Sequence, residues 1–456
     1  MKYAKYISIQ LLLICLVFAG CDKYLDVTPK GKRLLTTTAD YDLWLNDESI
    51  IFGLSPVNNL LNFLGDNVDM VNITLPPVKE HELIYTWASQ FSTDLNASPA
   101  FWGEHYSKIN HFNTVLVGID GATGGTIVQK KALKAEALLG RALEYFHLVN
   151  EYGKSYDSTT ASQDLAVPFV TSNDVTQVVP ARITVAEMHK QIIDDLNAAI
   201  HDLPADNSAN RFRGSKASAY SVLARVYFYA RNYTDALKNA ELALEHTNAA
   251  MINFNGTIPA SNLISVHPDV IYGRMVIGSS IPSLDFMRSF ASNDLRVRKL
   301  YYSLDGYTFT QRGATQFFPA YVTPSFTYAN TGTSVQEMKL IIAECAARSN
   351  DLTTALQQLD EVRKNRFAAA SYDPFDSNNQ EEVLNEVLKE RSHELPFTGL
   401  RWLDMRRLDK ENRMGTVYRY DAQGNIIATL EPHSDKYTLQ IPVQVLTYNP
   451  GMKQNP

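Results

Sequence analysis

Cysteine is scarce in this chain of 456 residues, which contains only Cys15, Cys21 and Cys345. Cys15 lies in the apolar N-terminal segment and Cys21 follows just after it, so Cys345 is the one cysteine left for the folded part. A single cysteine cannot pair within the chain, which excludes a fold stabilised by disulfides. Because Cys345 lies in the apolar run 340–347, we predict that it is a small buried side chain and not a nucleophile.

Long apolar runs are also scarce, and the one at the N-terminus is too short to cross a membrane comfortably. It covers residues 7–17, follows Lys2 and Lys5, and leads into Phe18-Ala19-Gly20-Cys21. This pattern is typical of a secretory signal peptide, and its ending resembles a lipobox. We therefore predict that residues 1–20 are removed and that Cys21 is acylated as the membrane anchor. The alternative is an ordinary signal peptide with a chance cysteine, since a lipobox usually has Leu where this chain has Phe18.

Positive charge is in deficit. The chain has 42 Lys and Arg against 49 Asp and Glu, which gives a formal net charge of −7 at pH 7. Removing residues 1–20 deletes two lysines and no acids, so the mature chain of 456 − 20 = 436 residues carries −7 − 2 = −9. A nucleic-acid-binding protein needs a basic face, and this composition argues against such a partner.

Motifs for phosphate binding, metal binding and catalysis are missing as well. Residues 121–125 are rich in glycine but lack the Gly-Lys-Ser/Thr of a phosphate loop, so they predict a turn between helices. His81, His105 and His111 match no zinc spacing and are predicted to be ordinary helix or loop histidines. The chain contains no Gly-x-Ser-x-Gly sequence. We therefore expect no cofactor, no metal and no enzymatic activity.

Helical periodicity is what the sequence has in abundance, and it predicts an all-α fold. Segments 219–245 and 340–363 align with each other, so that Ala236 matches Ala355. Each segment predicts a helix, a tight Asn/Asp turn and an antiparallel helix with small residues at the crossing, as in a tetratricopeptide unit. The two copies are 355 − 236 = 119 residues apart, so we expect that they do not form a tandem solenoid.

Interruptions of this pattern divide the chain. Residues 21–45 predict a lipidated leader that is extended over 22–40. Residues 46–456 predict a single domain with helical repeats at 98–247 and 335–410. Between the repeats, residues 249–328 are rich in Gly, Pro, Ser, Asn and aromatic residues and show no helical period. Long irregular segments in compact domains are usually functional, so we expect a loop-rich ligand-binding lobe there, with a smaller irregular stretch before the first repeat, from Leu54 to Ala100.

Four stretches resemble one family, the SusD/RagB-like lipoproteins. They are CDKYLDVTPKGK (21–32), RALEYFHLVNEYG (141–153), KERSHELPFTGLRWLDMRR (389–407) and YTLQIPVQVLTYNPGMKQNP (437–456). The chain departs from the family pattern at Thr398, where Glu is common, and at Gln440, where Pro is common. The resemblance implies tetratricopeptide-like helix pairs with an irregular ligand-binding lobe, in an outer-membrane lipoprotein exposed at the cell surface. It also implies a nutrient ligand, usually a glycan and sometimes a peptide, and a SusC-like TonB-dependent transporter as the partner.

Aromatic residues outside the predicted helices are the candidate ligand contacts, because sugar rings can pack their C–H faces against flat aromatic rings. Neighbouring polar side chains can bond the sugar hydroxyls. We expect these contacts to come from the two irregular stretches and not from the helix pairs; the candidates are Trp87, Asp66, Asn96, Phe317, Tyr321 and Tyr328. For each aromatic residue, packing inside the lobe is an open alternative.

The charge-rich block 389–407 has two interpretations. Glu394 and Asp404 could be the acid/base pair of a surface glycoside hydrolase. Alternatively, the block is a structural network in which arginines keep the carboxylates ionised, unlike a catalytic acid. We favour the structural interpretation. The sequence thus predicts a glycan-binding protein, with a peptide-binding member of the same family, a glycoside hydrolase and an assembly scaffold as alternatives.

Overall fold

The computed structural model describes residues 35–52, 60–258, 265–277, 280–318, 321–322 and 327–456; Cys21 lies outside them. Within these ranges helices dominate, which confirms the predicted all-α class. The helices are α1 (Thr38–Trp44), α2 (Glu48–Ile51), α3 (Glu80–Tyr85), α4 (Trp102–Gly118), α5 (Ile127–Tyr152), α6 (Val185–Asp202), α7 (Lys216–Tyr229), α8 (Tyr233–His246), α9 (Leu284–Arg288), α10 (Leu295–Leu300), α11 (Val335–Arg348), α12 (Leu352–Arg363), α13 (Gln380–Glu394), α14 (Leu400–Asp409) and α15 (Val443–Tyr448).

The strands in these ranges are short and pair in antiparallel sheets of two or three. They are β1 (Leu165–Pro168), β2 (Arg182–Thr184), β3 (Val270–Tyr272), β4 (Met275–Ile277), β5 (Tyr301–Ser303), β6 (Thr315–Phe317), β7 (Tyr321–Val322), β8 (Thr327–Asn330), β9 (Thr333–Ser334), β10 (Val417–Tyr420) and β11 (Ile426–Leu430). Strands β3 to β9 lie between α8 and α11 together with the short helices α9 and α10. The described part of the insertion is therefore a lobe of small hairpins and short helices.

The two predicted helix pairs are confirmed as α7–α8 and α11–α12, and their turns are nearly identical. Arg231 and Asn350 adopt left-handed φ angles of 59° and 63° just before the second helix of each pair. Asn232 and Asp351 then cap that helix with φ/ψ of −85°/77° and −84°/76°. Short polar side chains at the cap bond the free N–H groups of the first turn, which sets where the second helix begins.

The helix pairs are separated along the chain by the inserted lobe, yet they are neighbours in space. Helices α4, α5, α6, α7 and α8 pack in chain order, each against the one before it. Helix α8 then packs on α11, and α11 packs on α12 and α13. The insertion leaves at the end of α8 and returns through β9, which pairs with β3 and runs directly into α11. The distance of the copies along the sequence therefore does not separate them in the fold, because the inserted lobe folds to one side of the stack.

The predicted extended leader is wrong for its last part, which forms helix α1. Thr37 caps this helix and Asp40 reaches back to the backbone of Thr37, a reciprocal pair that starts a helix. Tyr41 is buried against the main helices. A Cβ on Gly118 would lie 1.9 Å from the hydroxyl of Tyr41, so this glycine leaves room for the ring at the end of α4.

Most charges of the 389–407 block are buried, as the structural interpretation predicts, and its carboxylates are paired with arginines. Glu394 forms ion pairs with Arg296, which lies in α10, and with Arg366, which lies just after α12. Asp404 bonds Arg391 at 3.0 Å and Arg407 at 3.2 Å. Trp402 is fully buried beside them, as is Trp102 at the start of α4, so both indoles are core residues as predicted. The block thus joins α13 and α14 to the irregular lobe.

Candidate functional site

A cavity of about 430 Å³ opens where helices α4 and α5 meet the irregular lobe. This volume is in the range of small-molecule sites, roughly 300–1,000 Å³. Its walls are formed by the first two turns of α4, one face of α5, residues 98–101 and the segment 274–276. The smaller irregular stretch predicted before the first repeat therefore contributes to the cavity, but about half of the wall is helical.

Helical spacing brings the polar side chains of α5 to one face. Glu144, His147 and Glu151 follow each other at steps of three and four residues on a helix that is otherwise mostly apolar. Helices α4 and α5 approach closely because residue 140 is glycine: a Cβ there would come within 2.2 Å of the ring of Phe112. The polar face of α5 therefore lies directly opposite the first turns of α4.

His105 of α4 bridges two of these carboxylates. Its Nδ1 lies 2.7 Å from Oε2 of Glu144, and its Nε2 lies 3.3 Å from Oε1 of Glu151. Since both ring nitrogens face carboxylate oxygens, both donate, and the ring is an imidazolium. Burial disfavours this charge, but the carboxylates outweigh burial and raise the pKa of His105 to about 10.

The pKa values of the two carboxyl groups shift in opposite directions. For Glu144, burial is outweighed by the charge of Lys108 and the bond from His105, which lower its pKa to about 2. For Glu151, burial dominates and raises the pKa. His147 stacks on His105 with ring centroids 5.3 Å apart, and burial together with that neighbouring cation lowers the pKa of His147 well below its ordinary value. The site thus contains one fixed imidazolium beside a neutral imidazole.

Two buried atoms of the cavity wall have no hydrogen-bond partner among the described residues. They are Oε2 of Glu151 and Nε of Arg274, on side chains that are almost completely buried. One is an acceptor and the other is a donor. Buried polar groups are normally bonded, and leaving one without a partner costs roughly 1–3 kcal/mol, so the pair points to a ligand or water that both donates and accepts.

The charges of the wall nearly balance. The carboxylates are Glu80, Glu104, Glu144 and Glu151, and the cations are His105, Lys108 and Arg274. Lys108 is paired with Glu104 at 2.9 Å. No group of three or more His, Cys, Asp or Glu side chains in the described ranges is arranged to hold a metal ion. A neutral ligand rich in hydroxyl groups fits this wall best, because each hydroxyl can both donate and accept without adding charge.

Trp87 is not the exposed platform that the sequence suggested. Its side chain is 3 % exposed, its Nε1 donates to the carbonyl of Leu64 at 3.1 Å, and the guanidinium of Arg419 lies 4.1 Å from the ring centroid. The ring is thus enclosed by neighbouring residues, and the alternative of packing inside the lobe describes Trp87.

In the insertion, the outward aromatic ring is the neighbour of the predicted one. Phe317 is 4 % exposed and packs against Tyr301 and Phe397. Side chains alternate along a strand, so the next residue, Phe318, points outward and is 39 % exposed, as is Tyr302 on the paired strand at 56 %. Phe318 is therefore the exposed ring of the two, and packing inside the lobe, the open alternative, describes Phe317.

The other candidates lie apart from the cavity wall. Asp66 forms a two-pronged ion pair with Arg401 at 2.6 Å; burial opposes its charge, but Arg401 outweighs burial and lowers the pKa of Asp66. Asn96 is exposed in a turn two residues before the cavity-lining segment. Tyr328 is half-buried against Phe52, with ring centroids 5.2 Å apart. Tyr321 pairs with Tyr328 through its backbone, and its side chain lies outside the described residues.

Sequence reasoning missed the cavity residues because it assigned the helix pairs to packing. His105 was noted only as a possible metal ligand, and Glu144, His147 and Glu151 were not considered. The signal that could have found them is the row of ionisable side chains at helical spacing inside the apolar helix α5.

Two family profiles match the chain. Residues 23–228 match a family described as "Starch-binding associating with outer membrane", and residues 336–456 match one described as "SusD family". Residues 229–335, which include α8 and the whole insertion, lie between the two matched ranges.

The chain is also similar to individual SusD-like proteins. The chain is similar to a SusD-like protein P2 of Formosa agariphila, with 24 % identity over 78 % of this chain and 79 % of the relative. A SusD superfamily protein from Bacteroides thetaiotaomicron shares the fold with a TM-score of 0.76, 20 % identity and coverage of 92 % and 100 %. A SusD-like carbohydrate binding protein from Bacteroides vulgatus does so with a TM-score of 0.69, 19 % identity and coverage of 91 % and 97 %. The chain belongs to the SusD/RagB-like family.

Proposed function

We propose that this protein is a lipid-anchored outer-membrane protein that binds a glycan in the cavity between α4, α5 and the irregular lobe. The observation that carries the proposal is the pair of unpartnered buried atoms, Oε2 of Glu151 and Nε of Arg274, in a cavity of about 430 Å³ with nearly balanced charge. The hydroxyl groups of a glycan both donate and accept, so a bound glycan can offer a donor to Oε2 of Glu151 and an acceptor to Nε of Arg274.

Family membership supports a nutrient-binding role. One matching family is described as starch-binding and associated with the outer membrane, and one structural neighbour is named as a carbohydrate binding protein. Cys21 supplies the anchor in this proposal, and a SusC-like TonB-dependent transporter receives the ligand. No helix in the ranges that the structure describes is both long and apolar enough to span a bilayer.

We infer binding without hydrolysis. A hydrolase needs one protonated and one ionised carboxyl on either side of the scissile bond. Here Glu144 and Glu151 lie on one face of the same helix and both face the ring of His105, so they do not stand on opposite sides of a bond. The predicted result of incubating the protein with its glycan is that no new reducing ends form.

A substitution that fills the cavity and leaves its buried charges in place tests the proposal. Ser107 is an exposed residue of α4 at the cavity wall, and Ser107→Trp places a large ring there. Thr353→Trp, at an exposed position of α12, is the matched control. Calorimetric titration against a panel of neutral polysaccharides and peptides should show binding of a glycan by the parent and by Thr353→Trp, and none by Ser107→Trp. Equal binding by all three proteins would place the ligand elsewhere, and binding of peptides alone would favour the peptide-binding alternative.

A further inference from the structure

One end of the α4–α5 helix pair exposes aliphatic side chains to solvent. Ile127 and Val128, the first two residues of α5, are 75 % and 76 % exposed. Val117, in the last turn of α4, is exposed as well. The loop between β1 and β2 also exposes three valines, Val175, Val178 and Val179, but at the end of α4 and the start of α5 the exposed aliphatic residues lie next to lysines. We call residues 117–134 the helix-pair corner.

The helix-pair corner is positively charged on a chain that is negative as a whole. It contains Lys130, Lys131 and Lys134 against Asp120, a local balance of 3 − 1 = +2, whereas the chain carries −7. Lys134 is paired with Asp120 at 2.5 Å, and Lys131 is exposed. Lysines beside exposed aliphatic residues are the composition of a surface that rests on anionic lipid headgroups.

The N-terminal segment is fixed at this same corner. The N–H of Thr123 donates to the carbonyl of Thr36 at 2.8 Å, and the N–H of Thr38 donates to the carbonyl of Thr123 at 3.0 Å. The hydroxyl of Thr38 donates to the carbonyl of Gly124 at 2.7 Å. Thr36 is therefore held in the turn that leads into Ile127.

Covalent length then limits how far the corner can be from an acyl group on Cys21. The two residues Cys21 and Leu35 are 35 − 21 = 14 positions apart. Fourteen residues span at most about 50 Å even when fully extended. Any lipid attached at Cys21 therefore keeps the bilayer within reach of this corner.

We propose that the helix-pair corner rests on an anionic lipid surface, with Ile127 and Val128 in the headgroup region and the lysines beside the lipid phosphates. The proposal rests on the lipid anchor of the proposed function and adds a second, non-covalent contact to it. Aliphatic burial and lysine–phosphate attraction act together in such contacts. A tethered protein then sits with a preferred side towards the membrane.

A fluorescence experiment on the acylated full chain tests this orientation. A polarity-sensitive dye is attached at Val128→Cys, and the control carries it at Val178→Cys, in the loop between β1 and β2, where valine is 95 % exposed. Native Cys345 is buried, and burial raises the pKa of its thiol, so it does not compete for the dye. In vesicles of phosphatidylethanolamine and phosphatidylglycerol, emission from position 128 should shift to shorter wavelength and be quenched by headgroup spin labels. Identical spectra at positions 128 and 178 would overturn the proposal.

A second experiment separates the contact from the anchor and from ligand binding. The mature chain carrying Cys21→Ser is sedimented with the same vesicles, with and without the double change Ile127→Ser and Val128→Ser. The double variant should bind vesicles about tenfold more weakly, since two aliphatic side chains no longer leave water, while its glycan affinity stays that of the parent. If the Cys21→Ser parent does not bind vesicles at all, the lipid contact is refuted. Loss of glycan binding in both proteins would refute the proposed function and leave the vesicle result standing.

Discussion

Arg225 in α7 and Glu337 in α11 form a fully buried ion pair, with Nη2 and Oε2 2.6 Å apart, although 337 − 225 = 112 positions separate them in the chain. The same guanidinium donates to the carbonyls of Thr331 and Gly332, just before α11. One side chain thus fixes the place where the chain returns from the inserted lobe to the helix stack.

Removing that side chain should strongly destabilise the fold. Arg225→Ala leaves Glu337 buried and unpaired, at a cost of about 3–5 kcal/mol in the free energy of unfolding by urea. The double variant Arg225→Met with Glu337→Leu should recover most of this loss, because it removes both charges and keeps the volume. A loss below about 1 kcal/mol in the single variant would mean that the pair does not join the two helix pairs.

Two arginine–carboxylate pairs near α14 should differ in their effect on stability. Asp404 is buried between Arg391 and Arg407. Arg407 keeps its ion pair with Glu344, but Asp404→Ala leaves the buried Arg391 without a carboxylate partner and should cost about 3–5 kcal/mol. The pair of Arg401 and Asp66 is partly exposed, at 21 % and 25 %, so Arg401→Ala should cost about 1 kcal/mol or less. Thermal unfolding measures both. Glycan affinity should persist in each folded variant, and its selective loss would contradict a scaffolding role.

Stability should fall at alkaline pH through His105. Its pKa is raised from 6.5 to about 10 in the folded protein, so its contribution is complete below pH 6.5 and is lost as pH rises towards 10. Between pH 6.5 and 9.5, the free energy of unfolding by urea should decrease more steeply for the parent than for His105→Gln, by at most about 1.4 kcal/mol per pH unit. The exposed His201→Gln is the control and should keep the slope of the parent. Parallel slopes for the parent and His105→Gln would mean that the imidazolium is not held by Glu144 and Glu151.

Trp87 and Tyr302 should differ in their effect on stability as their exposure indicates. Trp87→Ala removes a buried indole and should cost about 3–5 kcal/mol of unfolding free energy. Tyr302→Ala changes an exposed residue and should stay within about 0.5 kcal/mol of the parent. The free energy of unfolding by denaturant, measured for both variants and the parent, tests this prediction. A Trp87→Ala protein that is as stable as the parent would show that the ring is not part of the core.

The helix pairs could be predicted because their determinants are local. Small residues at the crossing and a short polar cap at the turn, Asn232 or Asp351, lie within a few positions of each other. The stacking of α8 on α11 could not be predicted, because it depends on how a lobe of more than 80 residues folds between them.

Burial in the lobe depends on partners that are distant in sequence. Arg419 covers the ring of Trp87 from more than 300 positions away, and no pattern near Trp87 indicates this. The choice between Phe317 and Phe318 depends on the register of β5 with β6, which pairs Tyr301 with Phe317. A shift of one residue in a strand exchanges the inner and outer faces, so composition alone cannot decide which ring is exposed.

The central claim is that a glycan occupies the cavity between α4, α5 and the lobe. A crystal structure of the protein with the oligosaccharide identified by titration tests it most directly. The account predicts sugar hydroxyls within hydrogen-bond distance of Oε2 of Glu151 and Nε of Arg274, with the His105 bridge to Glu144 unchanged. An oligosaccharide bound on the outer face of β5 and β6, at Tyr302 and Phe318, with only water beside Glu151, would contradict it.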